Sequence, residues 1–294
     1  MSLGRVVRII GGFYFVESQS GTEIFECAIR GRLKLATGGI LVGDLVKYTI
    51  EADGRGVINQ IEPRQSILTR PYIANVNQLV LVFAHSHPDP IPLLIDKFLV
   101  LTATSGIPVL IVFNKSDLVG KGKADKLANK YQCYGYNVLC TSGRTHLGKR
   151  RLLQAIKGKV TVFAGPSGVG KSALLNMIAP GLELQTGAIS GKIGRGKHTT
   201  REVQLLKINP QSYVADTPGF SQIALDFLQP DELADYFPEF AAHRDCRFAS
   251  CLHDSEPDCR VKQAVSDRAI APERYQSYLG LLAEVKSHWE KRYR

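Results

Sequence analysis

Long hydrophobic runs are missing from this sequence. No stretch reaches the roughly 18 consecutive apolar residues that a membrane-spanning helix needs. The first 12 residues lack the apolar block and the small-residue cleavage site of a signal peptide. Internal repeats and low-complexity tracts are also absent, and the mix of 44% hydrophobic and 22% charged residues excludes a disordered or fibrous protein. We therefore expect a soluble, cytoplasmic chain with no membrane partner.

Cysteine is scarce as well, since the 294 residues include only 6, too few and too uneven for a secreted disulfide framework. Cys246, Cys251 and Cys259 nevertheless lie within fourteen residues, together with His253, in the spacing C-x4-C-x-H-x5-C. Four such ligands suit a closed tetrahedral zinc site that leaves no position open for catalysis. We predict one structural Zn²⁺. The other cysteines fall in apolar patterns and are predicted to be core residues: Cys27, Cys133 and Cys140.

Positive charge is concentrated in the middle of the chain. The net charge is +10, and residues 66–226 alone carry 19 basic and 8 acidic side chains. An excess of this kind predicts a polyanionic partner, RNA first, although a nucleotide site would itself account for a few of the charges. The densest basic cluster comprises Arg144, Lys149, Arg150 and Arg151, and the second comprises Lys192, Arg195, Lys197 and Arg201.

The pattern of apolar, polar and glycine residues changes twice along the sequence, which predicts three domains. Residues 1–65 contain short β-rich runs separated by glycine turns, which favours a small barrel of the OB type, with an SH3-like barrel or an oligomerisation module as the alternatives. Residues 66–226 alternate apolar strands with amphipathic stretches, which is typical of an α/β domain with a parallel sheet. In residues 227–294 the strands stop, and two helical segments, at 231–237 and 272–291, flank the cysteine cluster.

A phosphate-binding loop follows the predicted strand 160–164. The sequence G-P-S-G-V-G-K-S fits G-x-x-x-x-G-K-[ST] between a strand and a helix, where backbone N–H groups surround phosphates. Lys171 is predicted to reach the β- and γ-phosphates and Ser172 to ligate Mg²⁺. The predicted phosphate-binding residues are Gly165, Pro166, Ser167, Gly168, Val169, Gly170, Lys171, Ser172 and Ala173.

The motif N-K-S-D, which ends the strand 107–113, predicts the base. Asp117 offers a carboxylate that can accept both N1–H and N2–H of guanine, whereas adenine has no matching pair of donors. Asn114 and Lys115 complete this motif. Ser142 follows the next strand and is predicted to contribute a backbone contact to the guanine carbonyl. The sequence therefore predicts GTP and GDP as ligands.

Two further segments predict sensing of the γ-phosphate. Asp216 and Gly219 fit D-x-x-G, in which the aspartate holds Mg²⁺ through water and the glycine amide contacts the γ-phosphate. In the glycine-rich, basic stretch 191–201, Thr200 is predicted to complete the magnesium shell, and Thr199 is the alternative.

The residue after Gly219 is Phe220, at the position where many GTPases carry the glutamine that orients the attacking water. An aromatic ring cannot do this. Either His198 positions the water, or hydrolysis waits for a partner. The predicted catalytic residues are Lys171, His198 and Thr200.

The order of these motifs predicts a circular permutation, because the guanine motif precedes the phosphate loop. With this order, the barrel and the cysteine cluster, the chain resembles the RsgA (YjeQ) family of bacterial GTPases over nearly its whole length. The resemblance implies an OB-fold at 1–65, a circularly permuted GTPase domain at 66–226 and a zinc-binding domain at 227–294. The segment 197–200 is similar to the family's switch, and Phe220 to its apolar residue after D-x-x-G.

The same resemblance implies a monomeric factor that binds the small ribosomal subunit and its rRNA late in assembly. Its weak GTP hydrolysis would be stimulated by the subunit. Two other interpretations stay open from the residues alone. One is a nucleic-acid-binding module that holds GTP as a static ligand, and the other is a P-loop kinase or ATPase, against which Asp117 argues.

Overall fold

The computed structural model describes residues 1–20, 23–29, 39–69, 71–180, 203–216 and 224–292. Its first five strands are β1 (Ser2–Ile10), β2 (Phe13–Ser18), β3 (Ile24–Ile29), β4 (Leu45–Ile50) and β5 (Gly56–Ile61). They pair in the order β1-β2-β3-β5-β4, and β4 pairs back onto β1. The β3–β5 pair is parallel and the other pairs are antiparallel. This closed five-stranded barrel confirms the OB-like interpretation.

Strands β1 and β2 form a hairpin. Gly11 and Gly12 form its turn with φ of +58° and +85°, and Ile10 pairs with Phe13 across it. A two-residue turn with positive φ at both positions matches the right-handed twist of the strands it joins, and glycine adopts it without steric cost.

The central sheet has six strands: β8 (Gln78–Ala84), β9 (Val109–Asn114), β10 (Asn137–Cys140), β11 (Val160–Ala164), β12 (Gln204–Asn209) and β13 (Ser212–Asp216). Their order is β10-β9-β8-β11-β13-β12, parallel except for β12. A short hairpin, β6 (Ile67–Thr69) and β7 (Tyr72–Ala74), precedes them. Every residue of β8 is buried, as expected of a strand covered on both faces.

Helices cover both faces of this sheet. Leu81 and Phe83 of β8 pack with α1 (Pro92–Ala103) and α2 (Lys121–Cys133), whereas Val80 and Val82 pack with α3 (Lys149–Ile156) and α4 (Lys171–Ile178). The alternation of side chains along β8 therefore separates two helical layers.

The barrel joins the central sheet at its outer strand. Arg8 of β1 pairs with Gln204 of β12, which makes one sheet of eleven strands. Beside this junction, Glu17 accepts hydrogen bonds from Lys207 at 2.7 Å and from the Tyr213 hydroxyl at 2.5 Å.

The C-terminal region contains helices α5 (Arg260–Ser266) and α6 (Pro272–Arg292), and no strand lies within residues 224–292. The predicted helical segment 231–237 contains a 3₁₀ helix, Leu233–Tyr236, and a second one follows at Pro238–His243. Pro238 separates the two, because the residue before a proline is driven out of the helical region, and Phe237 has φ −113° and ψ 90°. Within the described ranges, no helix is both long and apolar enough to cross a bilayer.

Candidate nucleotide site and metal centre

The phosphate-type loop depends on three glycines between β11 and α4. Gly165, Gly168 and Gly170 have φ of +140°, +77° and +92°. A Cβ at Gly165 would lie 2.1 Å from the Val82 carbonyl oxygen, and one at Gly170 would lie 2.4 Å from Asn114 Nδ2. Only glycine fits at these two positions, so the loop conformation follows directly from the motif.

Lys171, the first residue of α4, folds its side chain back over this loop. Its Nζ donates hydrogen bonds to the carbonyl oxygens of Gly165 at 2.8 Å and Pro166 at 2.7 Å. Burial lowers the pKa of Lys171. Its acceptors in the described chain are neutral, and an anionic phosphate oxygen makes a stronger, charge-assisted bond. The ammonium is thus held beside the loop, where an anionic phosphate oxygen would be a stronger acceptor than the two carbonyl oxygens.

Asn114, the last residue of β9, connects the three loops that the sequence assigned to the base and the phosphates. Its Nδ2 donates to the Val169 carbonyl at 2.9 Å, while Oδ1 accepts from the Gly143 amide at 3.1 Å and from Thr141 Oγ1 at 3.3 Å. The residue is 1% exposed. One buried amide therefore fixes the three loops relative to one another.

Asp117 lies in a 3₁₀ turn, Ser116–Leu118, directly after this asparagine. Arg144 contacts its Oδ2 through Nε at 3.0 Å and through Nη2 at 2.8 Å. A hydrogen bond from Ser142 lowers the pKa of Asp117, burial opposes this, and Arg144 lowers the pKa further. The carboxylate is therefore an ionised acceptor, which is what paired N–H donors of a base require.

The loop after β10 packs against the start of α4. Ser142 is fully buried, and its amide donates to the Leu147 carbonyl at 3.1 Å. A Cβ at Gly143 would lie 2.9 Å from the Cβ of Ala173. The loop after β10 is consequently in direct contact with the first turn of α4.

Sequence reasoning missed the segment 85–90, which carries no motif. Lys115 has φ +58°, and its Nζ donates to the carbonyl oxygen of His87. Pro88 Cδ lies 3.8 Å from the position of a Cβ on Gly168. The segment therefore borders both the N-K-S-D turn and the phosphate-type loop. The one sequence signal for a role in the site is its position after β8, at the same edge of the sheet as these two loops.

Asp216 is the last residue of β13, which runs parallel to β11, so its backbone ends at the edge where the phosphate-type loop begins. Ser172 is the second residue of α4. The other residues predicted to sense the γ-phosphate or position water lie outside the described ranges: His198, Thr199, Thr200 and Gly219. Phe220, which takes the place of the usual glutamine, lies outside them as well. The second basic cluster, Lys192, Arg195, Lys197 and Arg201, lies outside them too.

The four residues of the cysteine cluster converge as their spacing predicts. His253 Nδ1 lies 3.5 Å from Cys246 Sγ, 3.5 Å from Cys251 Sγ and 3.4 Å from Cys259 Sγ. All four ligand atoms lie within 4.8 Å of one another. Metal–ligand bonds of about 2.0 to 2.3 Å in tetrahedral geometry give separations of this size. The cluster could hold a metal ion.

The chemistry of the cluster also fits a metal. Burial lowers the pKa of His253, which favours the neutral imidazole that ligates metals, and burial raises the pKa of Cys251 to about 12. A bound cation would replace the thiol protons. The loop itself is held by α6, because Tyr275 donates to the His253 carbonyl at 2.7 Å and Tyr278 to the Leu252 carbonyl at 2.6 Å.

Comparisons with known proteins agree along the whole chain. The family model of the RsgA GTPase matches residues 61–226, and that of the RsgA N-terminal domain matches residues 3–58. A relative from Alkaliphilus metalliredigens, named small ribosomal subunit biogenesis GTPase RsgA, is 46% identical over 291 residues, covering 98% of this chain and 99% of its own. A relative of the same name from Moorella thermoacetica is 44% identical and covers 96% and 97%.

Two solved structures are similar in sequence and in fold. The crystal structure of YjeQ from Thermotoga maritima is 37% identical, with a TM-score of 0.83 over 97% of this chain and 98% of its own. That of YloQ, described as a circularly permuted GTPase, is 35% identical, with a TM-score of 0.81 over 98% and 96%. With the guanine-type motif before the phosphate-type loop in the chain and beside it in the fold, this chain belongs to the RsgA GTPase family of circularly permuted, GTP-hydrolysing enzymes.

Proposed function

We propose that this GTPase binds the small ribosomal subunit and acts late in its assembly, hydrolysing GTP to GDP and phosphate at a rate that the subunit increases. The observation that carries the proposal is the end-to-end identity of 46% with a relative named for biogenesis of that subunit. The positive charge of residues 66–226 supports a partner rich in phosphate. Such a role requires a cytoplasmic location, and we expect the chain to act as a monomer.

In this proposal, the base is recognised by the Asp117 carboxylate, supported by Asn114, Lys115 and the backbone of Ser142. The loop from Gly165 to Ala173 surrounds the phosphates, and Lys171 exchanges its two carbonyl acceptors for phosphate oxygens. Mg²⁺ would be held by Ser172, Asp216 and Thr200 and, when bound, would neutralise charge on the β- and γ-phosphates. Gly219 would contact the γ-phosphate, and His198 would position the attacking water.

The metal of the cysteine cluster is proposed to be one structural Zn²⁺. Three thiolates and one imidazole favour zinc, and four protein ligands leave no site for a substrate. We also propose domains at 1–65, 66–226 and 227–294. The first boundary is supported by the gap between the end of β5 at Ile61 and the start of β6 at Ile67.

GTP turnover with and without purified small subunits tests the proposal, with large subunits as the control. Turnover should be slow alone, rise with small subunits mainly in kcat, and stay unchanged with large subunits. In His198→Ala, GTP affinity should persist while most of the stimulated rate is lost. Absence of stimulation in the parent protein would contradict the ribosomal role and leave the GTPase assignment intact.

A further inference from the structure

Helix α3 carries an uncompensated positive charge. Residues 149–159, which include the helix, contain five basic and no acidic side chains. Arg144, Lys130 and Lys207 are each paired with a carboxylate within 4 Å. Among the described residues, by contrast, none of the five forms such an ion pair, and Lys159 donates only to the neutral Gln78 side chain at 3.1 Å. The other four cations are Lys149, Arg150, Arg151 and Lys157.

A groove of about 630 Å³ runs along this helix. One wall is a helical face, since Arg150, Leu153 and Gln154 recur at i, i+3 and i+4, and Lys157 follows directly after the end of the helix. Three apolar residues of the lining, called here the apolar floor, are Leu153, Ile178 at the end of α4 and Ile208 of β12. The complete lining is Arg150, Leu153, Gln154, Lys157, Ile178, Ile208 and Asn209. The groove thus combines two cations with apolar side chains.

The groove lies at the end of the sheet opposite the nucleotide site. Asn209 pairs with Ser212, where β13 begins, whereas the phosphate-type loop lies near Asp216, where β13 ends. Ile178 ends α4, seven residues and about 10 Å along the helix axis from the loop at Lys171. A ligand in the groove would therefore leave the nucleotide in place.

We propose that this groove binds RNA of the small subunit, with Arg150 and Lys157 contacting phosphates and the apolar floor receiving a base or a ribose. The proposal rests on the proposed function and adds the surface that performs the binding. Charge complementarity favours RNA, because two cations without carboxylate partners match a chain of phosphates. The apolar floor between them matches the faces of bases and sugars that lie next to those phosphates.

The test compares two double variants. Arg150→Gln with Lys157→Gln removes both groove cations, and Lys121→Gln with Lys123→Gln removes two exposed cations from α2 on the other face of the sheet. Affinity is measured for purified small subunits and for protein-free RNA extracted from them, between 50 and 200 mM salt. The groove variant should bind both more weakly, and its log-log salt slope should fall by about 0.7 to 0.9 for each lost phosphate contact. The α2 variant should match the parent.

Two isosteric changes add a probe that leaves packing intact. Gln154→Glu and Asn209→Asp place negative charge in the groove, so each should weaken RNA binding without changing turnover in the absence of subunits. Equal binding by the parent and the groove variants would overturn the proposal. So would weaker binding to whole subunits with unchanged binding to free RNA, because that result identifies a ribosomal protein as the occupant. A parent that fails to bind small subunits contradicts the proposed function instead, and the free-RNA arm still tests the groove.

Discussion

The side chain of Asn114 donates a hydrogen bond to the carbonyl oxygen of Val169, 55 residues further along the chain, at 2.9 Å. The two residues end up together because β9 and β11 both carry their loops at the carboxyl edge of the sheet. In this permuted chain, the contact joins the N-K-S-D motif to a phosphate-type loop that follows it in the sequence. The geometry of the site therefore depends on where the strands end and not on the order of the motifs along the chain.

Asn114→Ala should weaken binding of GTP and GDP alike. The change removes the hydrogen bonds of the buried amide and leaves the Val169 carbonyl and the Gly143 amide without this partner, at a cost of about 1 to 3 kcal/mol. Nucleotide affinity and thermal unfolding measure the effect. Thr141→Val is the matched control, because it removes only the 3.3 Å bond to Oδ1 and keeps the shape of the side chain. Equal losses in both variants would show that Asn114 does not organise the loops.

Asp117→Asn should change the choice of base. The neutral amide offers one acceptor and one donor in place of two acceptors, so the variant should bind GTP weakly and favour xanthosine triphosphate, whose base has a carbonyl where guanine has its amino group. Competition between the two nucleotides measures this. A variant that still prefers GTP would remove Asp117 from base recognition.

The ionised form of Asp117 should persist to low pH. Its pKa in the folded chain is held below the ordinary value of 3.8, chiefly by Ser142 and less by Arg144. The stabilisation is therefore fully present above pH 3.8 and is lost as the pH falls through the lower, folded value. The pKa of this carboxyl, followed by NMR, should rise more in Ser142→Ala than in Arg144→Ala. The reverse order would identify the exposed arginine as the main cause.

Removal of the metal should unfold the cysteine loop while the nucleotide site survives. Metal analysis should find one zinc per chain in the parent and none in Cys251→Ala, with hydrogen exchange rising across residues 246–259. Cys133→Ala is the control, because that cysteine lies outside the cluster and is exposed, so the prediction of a core position was wrong for it. A zinc-free chain with a protected loop would sink the assignment.

The sequence predicts those parts of the molecule that depend on local spacing. Three such features each span no more than fourteen residues: the phosphate-type loop, N-K-S-D and the cysteine cluster. Their geometry follows from glycine conformation and ligand spacing. Helix α3 was not predicted, because its buried residues are only Leu152 and Ile156 and three basic residues precede them, which leaves a weak helical pattern of apolar residues. The hairpin β6–β7 was missed because three-residue strands show no period.

Contacts between distant segments could not be predicted. Arg274 is the largest example, because a single arginine in a helix is expected on the surface. The residue is instead 1% exposed, between α1 and the 3₁₀ turn at Pro238–His243. Its partners, Asp96 and Glu239, are 178 and 35 residues away. No local pattern connects them.

This buried arginine gives the last prediction. Arg274 Nη1 lies 2.5 Å from Asp96 Oδ1, and Nε donates to Glu239 Oε1 at 2.5 Å. Burial alone would lower the pKa of Arg274, but the two carboxylates outweigh it and raise the pKa. The ring of Phe237 lies 4.3 Å from the guanidinium carbon. The charge is therefore buried together with its partners, and its pair with Asp96 joins α6 to α1.

Asp96→Ala should cost about 3 to 5 kcal/mol of folding free energy, since it removes one of the two carboxylates that compensate a buried cation. The triple change Asp96→Leu, Glu239→Met and Arg274→Met should cost less than Asp96→Ala, because no member of the buried charge cluster then remains. Lys97→Ala is the control on the same helix: its 2.6 Å pair with Glu284 on α6 is more exposed and should contribute about 1 kcal/mol or less. Urea unfolding can be followed through the only tryptophan, Trp289, which lies on α6 itself. If Asp96→Ala and Lys97→Ala shift the midpoint equally, the buried pair contributes no more than a surface one, and the junction between the GTPase sheet and α6 must be held by its apolar contacts alone.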